Sequence, residues 1–190
     1  MTSPHGSHRM KRPAAEAVAR TVGSKLPHAA VTTADGPTSI VTRMAFAATP
    51  EQVWRRLMFY EQIDAPPPLL LRLLLPLPIR VDGPKAAVGD EATCLYEGGY
   101  LRKRVTHVDA CRYYGFDIVE QNLVIGGGLM LSGGGYTLHE LQGRRTEVSV
   151  TTRYVSCNRP AWLWNPIEAT VCHLFHRHLL GAIRRTSELG

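Results

Sequence analysis

The 190-residue chain has no stretch of about 20 consecutive apolar residues, the length that a membrane-crossing helix requires, which excludes multi-span membrane classes. Its most apolar run, residues 66–79, carries Arg72 and is broken by Pro76 and Pro78. The four cysteines (Cys94, Cys111, Cys157, Cys172) form no C-x-x-C pair, so a zinc ribbon or a redox dithiol has no support. The glycine triplets 126–128 and 133–135 lack the lysine of a phosphate loop, and the dinucleotide fingerprint fails at Leu131. No nucleophile elbow surrounds Ser132. No apolar run of about 7–15 residues follows the N-terminal basic positions, so no secretory leader is expected. The cysteines are then expected to be reduced, mostly buried thiols in a cytoplasmic protein.

What is present is an ordinary globular composition, 44% hydrophobic and 20% charged, with a formal excess of +6. Half of that excess lies in residues 1–37, where Arg9, Lys11, Arg12, Arg20 and Lys25 face only Glu16 and Asp35. This segment shows no sustained apolar period and is predicted to be a flexible basic tail ahead of one domain over 38–190. Aromatic interleaving and nucleic-acid reader motifs are both missing from it, so no nucleic-acid partner is expected.

Residues 39–47 read as a strand. Thr49-Pro50-Glu51-Gln52 follows as a helix start, with Thr49 as cap, Pro50 in the first turn and Gln52 where a capping box closes. Seven leucines crowd residues 66–79, and the prolines at 68 and 76 leave room for about two helical turns between them. From Val88 the pattern turns to strands at 91–97, 100–109, 112–121, 129–141 and 145–156, joined by short turns into an antiparallel meander. Asn165-Pro166-Ile167-Glu168 reads as a second capped helix start, giving a terminal helix over 166–188. Ile167, Val171, Leu174, Phe175, His178 and Ala182 fall on one apolar arc of it.

That order of elements, with Ala48-Thr49-Pro50-Glu51-Gln52-Val53-Trp54, Val88-Gly89-Asp90 and Trp162-Leu163-Trp164-Asn165-Pro166, resembles the START-like (SRPBCC) helix-grip superfamily, including its polyketide cyclase/dehydrase and lipid-transport branch. The resemblance covers about residues 38–188. It implies an α+β helix-grip fold, a curved antiparallel sheet wrapped around the long C-terminal helix, with a hydrophobic ligand cavity between them. The bottom-up pattern agrees: an apolar helix stripe needs an apolar sheet face, and a strongly bent sheet needs glycine kinks, which the two triplets supply.

The candidate ligand-binding residues are Leu70, Leu74, Tyr114, Phe116, Ile118, Thr152, Tyr154, Val171, Phe175 and His178. Thr152 and Tyr154 share a strand face with Val148 and Val150, and Tyr114 shares parity with Phe116 and Ile118 while Tyr113 points the other way. His178 lies in the apolar arc and reads as a hydrogen-bonded core histidine or as a polar contact in the pocket. His173 is expected to face solvent. His173, His176 and His178 cannot converge on one ion, because His178 points roughly 160° away from His176, so no metal is expected, and no cofactor. Glu168 is explained by a capping box, with a carboxylate at the cavity mouth as the alternative. Arg102, Lys103 and Arg104 place cations on both strand faces, one of them a candidate to turn inward against an acidic ligand group or Glu120.

Three functions follow. The first is a binding or transport module for a lipid-like or polycyclic hydrophobic molecule. The second is an aromatase/cyclase-type enzyme in which a Tyr, His or Arg moves protons. The third is an interaction protein that docks through the leucine stretch and basic tail. The absence of a paired acid/base set favours the first, with no stable membrane insertion.

Overall fold

The structure, a computed structural model, describes residues 36–58, 69–76 and 78–188, without the side chains of Leu70, Leu73 and Pro78. Most of the predicted N-terminal tail therefore lies outside the described residues, as does the Leu70 side chain. The elements run β1 (Thr38–Phe46), α1 (Pro50–Met58), α2 (Leu69–Leu74), β2 (Pro78–Asp82), β3 (Glu91–Tyr96), β4 (Gly99–Asp109), β5 (Tyr113–Asn122), β6 (Leu129–Leu141), β7 (Arg145–Ser156) and α3 (Ala161–Glu188). The seven strands form one antiparallel sheet in the order β1-β7-β6-β5-β4-β3-β2. α3 packs against β1 and β7, and α1 and α2 pack against α3. The predicted α+β helix-grip architecture is what the chain adopts.

Sequence chemistry sets the boundaries. At α1 the Thr49 N–H donates to Gln52 Oε1 at 3.0 Å, the back-reaching half of a capping box. Thr146, with no exposed surface, donates its hydroxyl to the Ala48 carbonyl at 2.8 Å and so ties the β1–α1 corner to β7. Replacing Thr146 by Val keeps the volume and orphans that carbonyl. The expected cost is about 1–2 kcal/mol, read as a lower urea midpoint with an unchanged m-value.

Curvature comes from bulges. β6 shifts register between Leu131 and Gly133, so that Leu131 faces Tyr154 while Gly133 faces Arg153. The extra residue switches the inward parity from odd (Leu129, Leu131) to even (Gly134, Tyr136, Leu138). The β4–β5 pairing shifts register twice more, at Val119 of β5 and Thr106 of β4.

Three expectations need correction. β2 was not anticipated: Ile79 and Val81 alternate over too few residues between Pro78 and Gly83 to signal a strand, and Pro78 is tolerated because β2 is an edge strand that begins there. α3 starts at Ala161, not at 166: the Leu163 and Trp164 N–H groups bond to the Pro160 carbonyl, and Pro166 sits inside the helix on its exposed side. At 28 residues α3 spans about 42 Å. Finally, the buried side of α3 is Glu168, His176, Leu179, Leu180, Ala182, Ile183 and Ser187. Its centre is rotated by about a third of a turn from the predicted arc. Ile167 and Phe175 of that arc are largely exposed.

Candidate functional site

Among the described residues the buried apolar side chains fall into two clusters. One cluster gathers Phe46, Val53, Leu57, Val105, Tyr114, Tyr136, Leu138, Val148, Val150, Leu180 and Ile183 with their neighbours. A second gathers Cys94, Leu101, Leu123 and Ile125, with Leu75, Tyr96, Ile118, Leu129 and Leu131 against it. A domain of this size ordinarily has one contiguous core. Here three elements change chemistry where they leave the first cluster. On β4, Lys103 stands between Val105 and Leu101, only 3% exposed, with its ammonium 5.6 Å from the centre of the Phe116 ring. On β7, Thr152 and Tyr154 follow Val150. On α3, His176, Cys172 and Glu168 precede Leu180 at i,i+4 spacing and point the same way, toward the sheet.

His176 is fully buried and bonded at both ring nitrogens: Nδ1 lies 2.9 Å from Thr42 Oγ1, and Nε2 lies 2.8 Å from Thr152 Oγ1. The Cys172 sulfur sits 3.6 Å from Nε2, and His173 Nδ1 is 2.7 Å from the same Thr42 oxygen. At least two proton arrangements satisfy this chain. In one, Thr42 donates to His176, which donates through Nε2 to Thr152, while His173 donates to Thr42. In another, each of these bonds is reversed. His173 is thus tied to the sheet and does not face solvent freely, a correction caused by the rotated helix face. Burial, reinforced by the neighbouring His173, draws the His176 imidazole down to about 4. Burial pushes the Cys172 thiol up to about 11. It also pushes the Tyr154 hydroxyl up to about 12, with Glu168 and Cys172 adding to the effect.

Glu168 closes the row. It is 5% exposed, and its Oε1 accepts hydrogen bonds from Ser156 Oγ at 2.7 Å and Asn158 Nδ2 at 2.9 Å, while the buried Oε2 has no partner among the described residues. Because α3 begins seven residues before it, Glu168 is not part of a capping box.

The predicted site residues distribute unevenly. Thr152 and Tyr154 lie in the polar row, with Tyr154 buried. Tyr114 is buried, donates to the Lys85 carbonyl at 3.0 Å and packs edge-on against Trp54. Phe116 and Ile118 are half-buried on the inward face, one against each cluster. Val171 and His178 are half-buried on α3, with His178 pointing away from His176 around the helix. Leu74 and Phe175 are 41% and 42% exposed and stand outside the row. Lys103, Glu168, Cys172 and His176 were absent from the predicted set. Strand parity with Leu101 and Val105 points to Lys103, and stepping back by four from Leu180 points to His176, Cys172 and Glu168. Of the cationic triplet it is Lys103 that turns inward, whereas Arg102 pairs with Glu120 and Arg104 with Glu91 on the outer face.

Elsewhere, a cleft of about 730 Å³ opens beside Pro50, Glu51, Cys111, Arg112, Tyr113 and His139, and it contains none of the predicted ligand residues. Among the described residues no three His, Cys, Asp or Glu side chains gather as a metal site, and no helix is long and apolar enough to cross a membrane.

No family model matches the sequence, and no curated protein does. Solved structures do. The Zhui aromatase/cyclase from a Streptomyces species superimposes with a TM-score of 0.57 at 15% identity, covering 80% of this chain and 94% of that one. A START superfamily protein from Mycobacterium smegmatis gives 0.56 at 13% identity, covering 82% and 100%. The chain has the START-like helix-grip fold. An Aha1 dimer from Colwellia psychrerythraea shares the fold at 0.52 and 15% identity, covering 80% and 98%. In this chain the polar row lies along the seam where the sheet meets α3.

Proposed function

We propose that the chain binds one hydrophobic small molecule, lipid-like or polycyclic, between the concave face of the sheet and α3. The observation that carries this is the division of the interior: two apolar clusters face each other across Lys103, Thr152, Tyr154, Cys172 and His176. A closed core rarely buries a lysine and a histidine beside its apolar clusters. An apolar pocket with a few convergent polar groups does. Phe116, Ile118 and Leu131, inward yet only half-buried, supply the apolar contact area.

The titrating groups favour binding over catalysis. With His176 held near 4, Cys172 near 11 and Tyr154 near 12, each is neutral at pH 7 and none is poised to exchange a proton there. The cyclase-type alternative has one observation on its side. Lys85, between β2 and β3, is brought down to about 8 by burial and by the charge of Lys103. Turnover that disappears on Lys85→Met while ligand affinity persists is the result that would establish it.

The binding reading is tested with 1-anilinonaphthalene-8-sulfonate and native mass spectrometry. One probe per chain is expected at saturation. Cys172→Phe fills the seam from the helix side, so it should weaken the probe by tenfold or more while Tm moves by only a few degrees. Stoichiometric binding that Cys172→Phe leaves unchanged would place the ligand elsewhere, and no binding at all would sink the proposal.

A further inference from the structure

Resting on that ligand site, a narrower statement concerns Glu168. A carboxylate oxygen that is buried without a donor is costly, because desolvation is not repaid by a hydrogen bond. Glu168 carries that cost on one oxygen only. Oε1 is fully occupied by Ser156 and Asn158, and Asn158 is itself anchored by donating to the Gly126 carbonyl at 2.9 Å, so the carboxylate plane is held from the loop side. Oε2 has no partner among the described residues. Glu168, Cys172 and His176 stand one turn apart on the sheet-facing side of α3, and the last of them bonds across to β7. The free oxygen thus belongs to the same row that edges the proposed ligand space, fixed in orientation and lacking only a donor.

We infer that Glu168 Oε2 is the acceptor for a hydrogen-bond donor on the ligand, so that this site selects hydrophobic molecules bearing a hydroxyl or amino group at one end over those whose polar end can only accept. Recognition of this kind is strongly selective, since a ligand without the donor leaves the buried oxygen unpaired.

The test uses the full chain and displacement of 1-anilinonaphthalene-8-sulfonate by ring-matched competitors. 2-Naphthol and 2-naphthylamine each carry a donor, and 2-methoxynaphthalene can only accept. At least one of the two donors is expected to bind about tenfold more tightly than the methoxy compound, and the larger gain names the preferred group. Glu168→Gln makes the decisive comparison. Ser156 and Asn158 both donate to one oxygen, so the amide keeps its carbonyl there and turns its NH₂ to the position of Oε2. The preference for 2-naphthol should then be lost, since its oxygen and that of 2-methoxynaphthalene can both accept from the amide. A merely structural glutamate would weaken all three competitors alike. In the wild-type protein, the side-chain carboxyl ¹³C resonance of Glu168 should shift with 2-naphthol and stay in place with the methoxy compound, a readout that needs no variant. Equal affinities in the wild type, an unmoved resonance, or a ratio unchanged by Glu168→Gln each overturn the inference while leaving the ligand site standing. Failure of every naphthalene to displace the probe overturns both.

Discussion

His176→Ala is expected to destabilise the chain by about 3–4 kcal/mol, one of the two largest single-residue effects expected. The imidazole is fully buried, so truncation opens a cavity and leaves the Thr42 and Thr152 hydroxyls without their shared partner. A second expectation separates its chemistry from its volume. The unfolded imidazole titrates near 6.5 and the folded one near 4. Between these values the unfolded state binds more protons, so stability is full above pH 6.5 and falls as pH drops toward 4. The loss amounts to on the order of 3 kcal/mol. The hydrogen bonds themselves survive protonation, since both threonine oxygens can accept. The penalty is desolvation of the cation, deepened by His173. His178 is also lowered, by burial and then by the charge of Arg185, and contributes with the same sign. His176→Gln cannot titrate, so subtracting its Tm profile between pH 4 and 8 from that of the wild type isolates the His176 share. Parallel profiles would show that His176 remains protonatable in the fold.

Much of this fold is legible in the sequence because period-two alternation and turn residues act locally. Six strands lie within a residue or two of their predicted bounds, and α1 starts where Thr49 and Pro50 place it. The same local logic misleads at α3. Asn165-Pro166 has the residue types of a helix start, but the chain uses the Pro160 carbonyl to begin the helix earlier and places Pro166 on an exposed side where one lost backbone bond is tolerated. The apolar arc fails for a related reason. Searching for apolarity finds packed cores, and the sheet-facing side of α3 is apolar only toward its C-terminal end, at Leu179, Leu180 and Ile183. Where it meets the proposed ligand space it is Glu168, Cys172 and His176. Strand β7 escaped the error because Thr152 and Tyr154 continue an alternation set by Val148 and Val150. Within the cationic triplet, of which one member was expected to turn inward, the same parity with Leu101 and Val105 singles out Lys103.

Gly133→Ala is the other large effect expected, a loss on the order of 3 kcal/mol, and it bears on the curvature that makes a grip possible. A Cβ at Gly133 would lie 2.5 Å from the Phe116 carbonyl oxygen and 2.7 Å from the Arg153 guanidinium, at a φ of +153° that side chains disfavour. The oxygen is backbone of the paired strand β5 and cannot rotate aside, so either the β5–β6 ladder opens or the bulge moves. If the bulge moves, parity along β6 no longer changes between Leu131 and Gly134, and one half of the strand must turn its inward residues out. Tyr136 and Leu138 on one side and Leu129 and Leu131 on the other belong to different apolar clusters, so either outcome dismantles the division on which ligand binding is proposed to rest. Gly127→Ala is the control. Its φ of +77° is also left-handed, but a Cβ there meets nothing closer than Asn158 Oδ1 at 3.6 Å, so about 1 kcal/mol is expected. Thermal unfolding of both variants, with probe titration of whatever remains folded, should place Gly133→Ala well below Gly127→Ala in both stability and affinity. Equal Tm values would mean that the bend at β6 is held by something other than the close approach of two backbones at Gly133.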